Sequence, residues 1–88
     1  MAPNVQDFAR EAKALITAHV SIKDKRSDEA KELVRRLFAL CKDNIHIVLS
    51  RQDFRQVMIL KAQECLDVGP AFCPKCVELA SELIILLS

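Results

Sequence analysis

Apolar side chains recur every three or four positions along the first half of the chain, which is the spacing of one face of an α-helix. Residues 4–20 follow this pattern, and Asn4 is a favourable N-cap for them. After a polar linker, Ser27 provides a second N-cap, and the apolar face that follows it extends to Cys41. The first half of the chain is therefore predicted to be a helical hairpin.

The second half begins with an ambiguous segment, NIHIVLS, whose β-branched residues would suit a strand. The chain offers no second strand to pair with it, so a helical turn after Asn44 is the better interpretation. Ser50 and Asp53 have the spacing of a capping box, so either a new helix starts at Ser50 or one long helix starts at Ile45. A wide apolar face follows and predicts the central helix of the fold, which Gly69 ends.

A last amphipathic segment completes the pattern, which predicts a single all-α domain over residues 1–88. We expect a small antiparallel bundle of four main helices. A six-helix, death-fold-like bundle is the alternative if the chain around Ser50 splits into separate short helices. Two helical hairpins from an α-solenoid are a further alternative, because each half has about the length of a helical repeat, roughly 40–47 residues.

Four side chains on the predicted apolar faces are expected in the core. They come from three different helices: Leu37, Val57, Met58 and Leu83. Val57 and Met58 are neighbours in sequence, so their joint burial requires a helix that is covered on more than one side.

Composition and charge narrow the functional classes. The chain has 13 Lys and Arg against 12 Asp and Glu, which gives a net charge of +1. Trp and Tyr are absent and neither half is strongly basic, so no nucleic-acid partner is expected. The sequence has no Gly-rich phosphate loop and few polar side chains that could converge on a substrate, so we expect neither an enzyme nor a cofactor.

Two further features bear on the cellular compartment. Met1 is followed by a polar stretch rather than by the apolar core of a signal peptide. The apolar runs are far shorter than the ~20 residues that span a bilayer, so no membrane span is expected. Four cysteines without a secretory signal suggest reduced thiols in the cytosol or the nucleus, and we expect a cytoplasmic location.

The segment GPAFCPKCVELA contains the most distinctive motif, a C-x-x-C formed by Cys73 and Cys76 at the predicted start of the last helix. Pro74 fits the first helical position, which makes Cys73 the N-cap. Free N–H groups and the helix dipole there would stabilise a thiolate, so thiol redox chemistry is one interpretation. The sheet of a thioredoxin-like enzyme is missing, however, because the residues after Cys76 are helical.

Zinc binding is a second interpretation, in which the missing ligands of the C-x-x-C pair would have to come from separate helices, out of Cys41 and Cys65 with His19 or His46. Core packing is the third, because free cysteine behaves as a small hydrophobic residue. Cys41, Cys65 and Cys76 lie on the apolar faces of their helices, and Cys73 is then a partly exposed cap. The sequence favours core packing, and a redox or zinc-binding helical module built on Cys73 and Cys76 is the alternative function.

His19 lies on the apolar face near the C-terminal end of the first helix. A protonated imidazole would suit the negative end of the helix dipole there. We expect a boundary histidine with a local partner rather than a catalytic base, because no Ser or Cys can be placed beside it.

The last helix carries more apolar side chains than one core-facing stripe can use. Leu79, Ile85 and Leu86 fall outside the inward face on the helical spacing. Because surplus apolar surface usually marks a partner site, we expect a scaffold or adaptor-type protein–protein interaction module. Leu79, Ile85 and Leu86 are the predicted contacts with a protein partner or with a second copy. The ending LIILLS is expected either to dock against such a partner or to continue in a longer chain.

Overall fold

A computed structural model describes residues 5–69 and 73–88, so the expected N-cap Asn4 lies outside the described residues. The described part contains five α-helices and no strand. None of these helices is long and apolar enough to cross a membrane. They are α1 (Val5–Ser21), α2 (Asp28–Asp43), α3 (Ile45–Ser50), α4 (Gln52–Val68) and α5 (Pro74–Leu87).

The predicted all-α bundle of four main helices is confirmed, with α3 as a short helix between α2 and α4. Two predicted helix boundaries are also confirmed by their hydrogen bonds. The Ser27 hydroxyl accepts a hydrogen bond from the Ala30 N–H at 3.2 Å and caps α2. Gly69 ends α4 with a φ of 90°, a conformation that glycine adopts without steric cost, and its N–H donates to the Cys65 carbonyl.

The ambiguous segment is helical, and a buried asparagine separates it from α2. The side-chain amide of Asn44 donates to the Leu40 carbonyl at 2.9 Å, which ends α2. The Asn44 carbonyl in turn accepts hydrogen bonds from the N–H groups of Ile47 and Val48, which begins α3. One residue therefore serves both helix ends and turns the chain between them.

The predicted capping box of Ser50 and Asp53 is wrong. The Ser50 hydroxyl donates to the Ile47 carbonyl at 2.7 Å, so it is used in the last turn of α3 and does not cap the next helix. Arg51 precedes α4 without a side-chain cap. The chain thus breaks at Arg51, and the result among the described residues is five helices rather than the six of the death-fold-like alternative.

The four main helices pack in the order α1, α2, α5, α4 around the bundle. An ion pair between Lys42 and Glu82 and a hydrogen bond from the Cys76 thiol to the Lys31 carbonyl show that α2 and α5 run parallel. α1 is antiparallel to α2, and α4 is antiparallel to α5. α3 covers one end of the bundle against α4 and α5.

Three of the four predicted core residues are buried, namely Leu37, Met58 and Leu83. Val57 is the exception, since 42% of it is exposed, and the prediction of its burial is wrong. The reason is that Val57 faces α1, and α1 does not pack along α4. The buried cluster combines residues of all five helices: Phe8, Ala12, Leu15, Leu37, Phe38, Cys41, Ile47, Val48, Met58, Ala62, Ala80, Leu83 and Leu87.

Candidate functional site

The bundle is open on the side where α1 and α4 face each other, and this opening is termed the α1–α4 cleft. It consists of two chambers that share Ile16 as a wall residue. The C-terminal chamber has a volume of about 410 Å³ and lies between the C-terminal halves of α1 and α4, over α2. The N-terminal chamber has a volume of about 660 Å³ and lies between α1 and the first half of α4.

Apolar atoms make up most of the lining of both chambers. The C-terminal chamber is lined by Leu15, Ile16, His19, Val20, Lys25, Leu33, Val34, Leu37, Phe38, Lys61, Glu64, Cys65 and Val68. The N-terminal chamber is lined by Phe8, Ala9, Lys13, Ile16, Ser50, Arg51, Gln52, Asp53, Phe54 and Val57. The cleft is therefore a hydrophobic groove with a few charged side chains along it.

The walls of the cleft leave large apolar side chains in water. Val20 on α1 is 68% exposed and Val68 on α4 is 54% exposed, and both line the C-terminal chamber. Val57 is exposed in the N-terminal chamber for the same reason, which is that no helix covers this side of the bundle. At its floor the C-terminal chamber reaches the buried side chains of Leu37 and Phe38.

Basic side chains outnumber acidic ones along the cleft. Lys25 and Lys61 line the C-terminal chamber together with one carboxylate, that of Glu64. Lys13 and Arg51 line the N-terminal chamber together with the carboxylate of Asp53. The cleft thus combines an apolar floor with a surplus of positive charge along its walls.

His19 lies half-buried in the C-terminal chamber, and its environment disfavours the protonated form. Burial is the largest cause that holds the pKa of His19 below its usual value, and the nearby ammonium groups of Lys25 and Lys61 add to it. Glu64 opposes this shift. A protonated imidazole would suit the end of α1, but the surroundings of His19 act against that form. The positive charge at this helix end comes instead from Lys25, whose ammonium group donates to the His19 carbonyl.

His19 and Cys65 line the same chamber, but they lack the features of an activated nucleophile. No hydrogen bond joins the two side chains in the described part of the chain. Burial raises the pKa of Cys65 to about 11, whereas a nucleophilic cysteine needs a depressed pKa. The arrangement suits binding by burial of apolar surface rather than thiol chemistry.

Cys73 is the N-cap of α5, as predicted, and its sulfur accepts a hydrogen bond from the Cys76 N–H at 3.3 Å. Cys76 is fully buried, and its thiol donates to the Lys31 carbonyl at 3.6 Å, which ties α5 to α2. Burial is the largest cause that raises the pKa of Cys76 to about 12, and the hydrogen bond of the Cys76 side chain with Cys73 adds to it. Such a thiol is poorly suited to thiolate formation near neutral pH.

Core packing is confirmed for Cys41 and Cys76, which are both completely buried. Cys65 is half-buried and packs against the core, and Cys73 is partly exposed as predicted. Among residues 5–69 and 73–88, no group of three or more His, Cys, Asp or Glu side chains is placed to hold a metal ion. Within this part of the chain the zinc interpretation therefore lacks a ligand set.

The three predicted partner contacts on α5 differ in their exposure to water. Ile85 is 75% exposed and Leu86 is 42% exposed, and together they are termed the α5 patch. Leu79 is half-buried and packs against the core, so the expectation that it falls outside the inward face is wrong. Leu79 precedes the buried Leu83 by one helical turn, which places both on the same side of α5. A partner contact at the α5 patch stays a prediction.

The cleft was missed in the sequence because its residues belong to two helices that are far apart in the chain. A signal was nevertheless present in α4, whose apolar face is too wide for one seam and includes Val57. In α1, Ile16 and Val20 are one turn apart and lie beside the core-facing Leu15, which widens that face as well. Comparison of the chain with protein-family models, curated proteins and solved structures found no match.

Proposed function

We propose that this protein is a non-enzymatic interaction module that binds an amphipathic helix of a protein partner in the α1–α4 cleft. The observation that supports the proposal is the open side of the bundle, where α1 and α4 form two apolar walls over α2. The four free cysteines fit a reducing, cytoplasmic compartment, where such a module would serve as a scaffold or adaptor.

The shape of the cleft favours a helix as its occupant. Phe8 of α1 contacts Phe54 of α4, which places the N-terminal ends of the two helices side by side, so α1 and α4 run in the same direction. A helix placed between them would contact three helices at once, as in helix-in-groove recognition. α1 has 17 residues and is about 25 Å long at a rise of 1.5 Å per residue, so a partner helix of similar length would be covered.

Burial of the cleft walls supplies a driving force for this binding. Val20, Val57 and Val68 are all at least two-fifths exposed in the free protein. Removing apolar surface from water contributes roughly 25 cal/mol per Å², and the C-terminal chamber would accept an apolar anchor of the partner. The anchor would pack on Leu37 and Phe38, which belong to the buried hydrophobic core.

The proposal is tested by selecting binders from a display library of amphipathic helical peptides of about the length of α1. We expect selected peptides to bind the folded protein and to shift the backbone NMR signals of α1 and α4. Replacing Val57 and Val68 with Glu places charge on the cleft walls and should weaken binding by more than about tenfold, because a buried unpaired charge is costly.

Leu49→Glu and Leu60→Glu are the matched controls, because both residues are exposed and apolar but do not line the cleft. These variants should bind the selected peptides as the wild type does. Circular dichroism checks that every variant is folded. If the library yields no binder, or if binders are indifferent to Val57→Glu and Val68→Glu, the proposal is wrong.

A further inference from the structure

We infer that the helix received in the α1–α4 cleft is acidic, with an apolar face towards the cleft floor and Asp or Glu side chains along its edges. The inference rests on the proposed function and specifies the chemistry of the partner. Its basis is the distribution of charge along the cleft walls.

Four basic side chains line the cleft against two carboxylates, so this surface has a local surplus of positive charge. The whole chain has nearly equal numbers of the two signs, 13 against 12, so the surplus is a property of the cleft and not of the composition. The set consists of Lys13, Lys25, Arg51 and Lys61 with Asp53 and Glu64.

The cleft cations are not neutralised by ion pairs within the described part of the chain. The two ion pairs found there join Arg35 to Glu32 and Lys42 to Glu82, and none of these residues lines the cleft. Lys25 is engaged with the His19 carbonyl, which leaves Lys13, Arg51 and Lys61 as sites for a partner's carboxylates. Lys13 and Lys61 lie on opposite walls of the cleft.

The positions of these two lysines suit the edges of a bound helix. Lys13 projects from α1 in the N-terminal chamber, and Lys61 projects from α4 in the C-terminal chamber. Carboxylates on both edges of an amphipathic helix would then meet cations on both walls. A basic helix would face like charges at the same places, and such contacts are strongly unfavourable in interfaces.

The lowered pKa of His19 is consistent with this electrostatic setting. Lys25 and Lys61 act on it from two sides, and Glu64 is the carboxylate that opposes them. An added anion near the C-terminal chamber would relieve the repulsion among these groups.

The helical library is built for this test with equal chances of Glu and Lys at its polar positions. We expect the selected helices to be enriched in Glu, and their binding to weaken as NaCl is added. A Glu→Gln version of one selected helix serves as its neutral isostere, and it should bind more weakly with little salt dependence.

The double variant Lys13→Glu and Lys61→Glu should weaken binding of the selected acidic helix by roughly tenfold, because two partly exposed ion pairs are lost. The control double variant is Arg36→Glu and Lys75→Glu, which makes the same change in net charge at exposed positions outside the cleft. It should keep most of the affinity. A selected helix with Lys in place of Glu should in turn bind the Lys13→Glu and Lys61→Glu protein better than the wild type.

The two proposals fail in different ways. The selected helices could be neutral or basic and still fail to bind the Val57→Glu and Val68→Glu protein. That result would overturn the inference of an acidic partner and would leave the helix-binding function intact. An acidic helix whose affinity is equal for the cleft and control lysine variants would also overturn the inference. Binders that are indifferent to the valine substitutions would overturn both.

Discussion

The ring of Phe8 contacts the ring of Phe54 edge to face, with ring centroids 5.4 Å apart and ring planes at 81°. Both rings line the N-terminal chamber of the α1–α4 cleft. At the other end Val20 and Val68 stand exposed on the two walls. α1 is therefore held to α4 by an aromatic contact at one end, whereas α2 holds it along its length.

A double-mutant cycle on Phe8 and Phe54 should measure this aromatic contact. Replacing each ring by Leu, singly and together, is expected to give a coupling free energy of about 0.5–1.5 kcal/mol, as for other edge-to-face pairs. The free energy of unfolding is measured by urea denaturation. A cycle between Phe8→Leu and Val68→Ala is the control and should be additive, because Val68 lies at the opposite end of α4.

Truncation of the core should distinguish Leu37 from Val57. Leu37 is 3% exposed, so Leu37→Ala is expected to lower the free energy of unfolding by about 2–5 kcal/mol. Val57→Ala removes an exposed side chain from the cleft wall and should change stability by only about 0.5 kcal/mol. Equal losses for the two variants in chemical denaturation would show that α1 covers Val57 in solution.

The features that the sequence predicts correctly are those that depend on local spacing and capping. The faces of Leu37, Met58 and Leu83 and the caps at Ser27 and Cys73 all follow from residues within one helix or one turn of it. The predicted burial of Val57 is wrong because its exposure depends on the position of α1 relative to α4. No local sequence pattern encodes that position.

The candidate site was less predictable than the fold for the same physical reason. Lys13 and Lys61 are 48 positions apart in the chain and look like ordinary surface charges in their own helices. The inward face of α5 is wider than the sequence analysis predicts, and it includes Leu79. The one-turn spacing between Leu79 and the buried Leu83 already favours this burial. The sequence patterns predict where helices form, but they do not predict which helices pack against each other.

The cysteines should differ in their rates of labelling by a thiol reagent. Cys41 and Cys76 are completely buried, and burial raises the pKa of each to about 12, so both should react only when the protein unfolds. Cys65 and Cys73 are partly exposed and should react first. Labelling followed by mass spectrometry of the peptides gives the order.

Cys73→Ser should preserve the helix start, because a Ser hydroxyl is a better N-cap than a thiol. Thermal melts of this variant and of the wild type should be similar, and EDTA should leave both unchanged. Loss of helicity on addition of EDTA would support the zinc interpretation instead.

Acidification should destabilise the protein through His19. Its pKa is lowered in the folded state by burial, Lys25 and Lys61, so the unfolded state binds the proton more readily. Stability is then expected to fall as the pH drops through about 6.5, the usual value for histidine, and to level off below the folded-state pKa. His19→Gln should remove this component from urea denaturation measured between neutral and mildly acidic pH. A pH profile identical to the wild type would show that His19 does not carry it.

Substitutions on α5 should separate the α5 patch from the core. Leu79→Glu places a charge against the hydrophobic cluster and is expected to destabilise or unfold the protein, because an unpaired charge is costly to bury. Ile85→Glu and Leu86→Glu place the same charge on exposed positions, so the monomer should remain helical and nearly as stable.

The same variants test the predicted contact with a second copy or a partner. If the α5 patch drives self-association, sedimentation analysis should show a larger species for the wild type and a monomer for the Ile85→Glu and Leu86→Glu double variant, since a two-fold dimer is the simplest arrangement. A wild type that stays monomeric at high concentration would exclude self-association through this patch. An unfolded double variant would show that Ile85 and Leu86 contribute to the core instead, which their exposure in the bundle argues against.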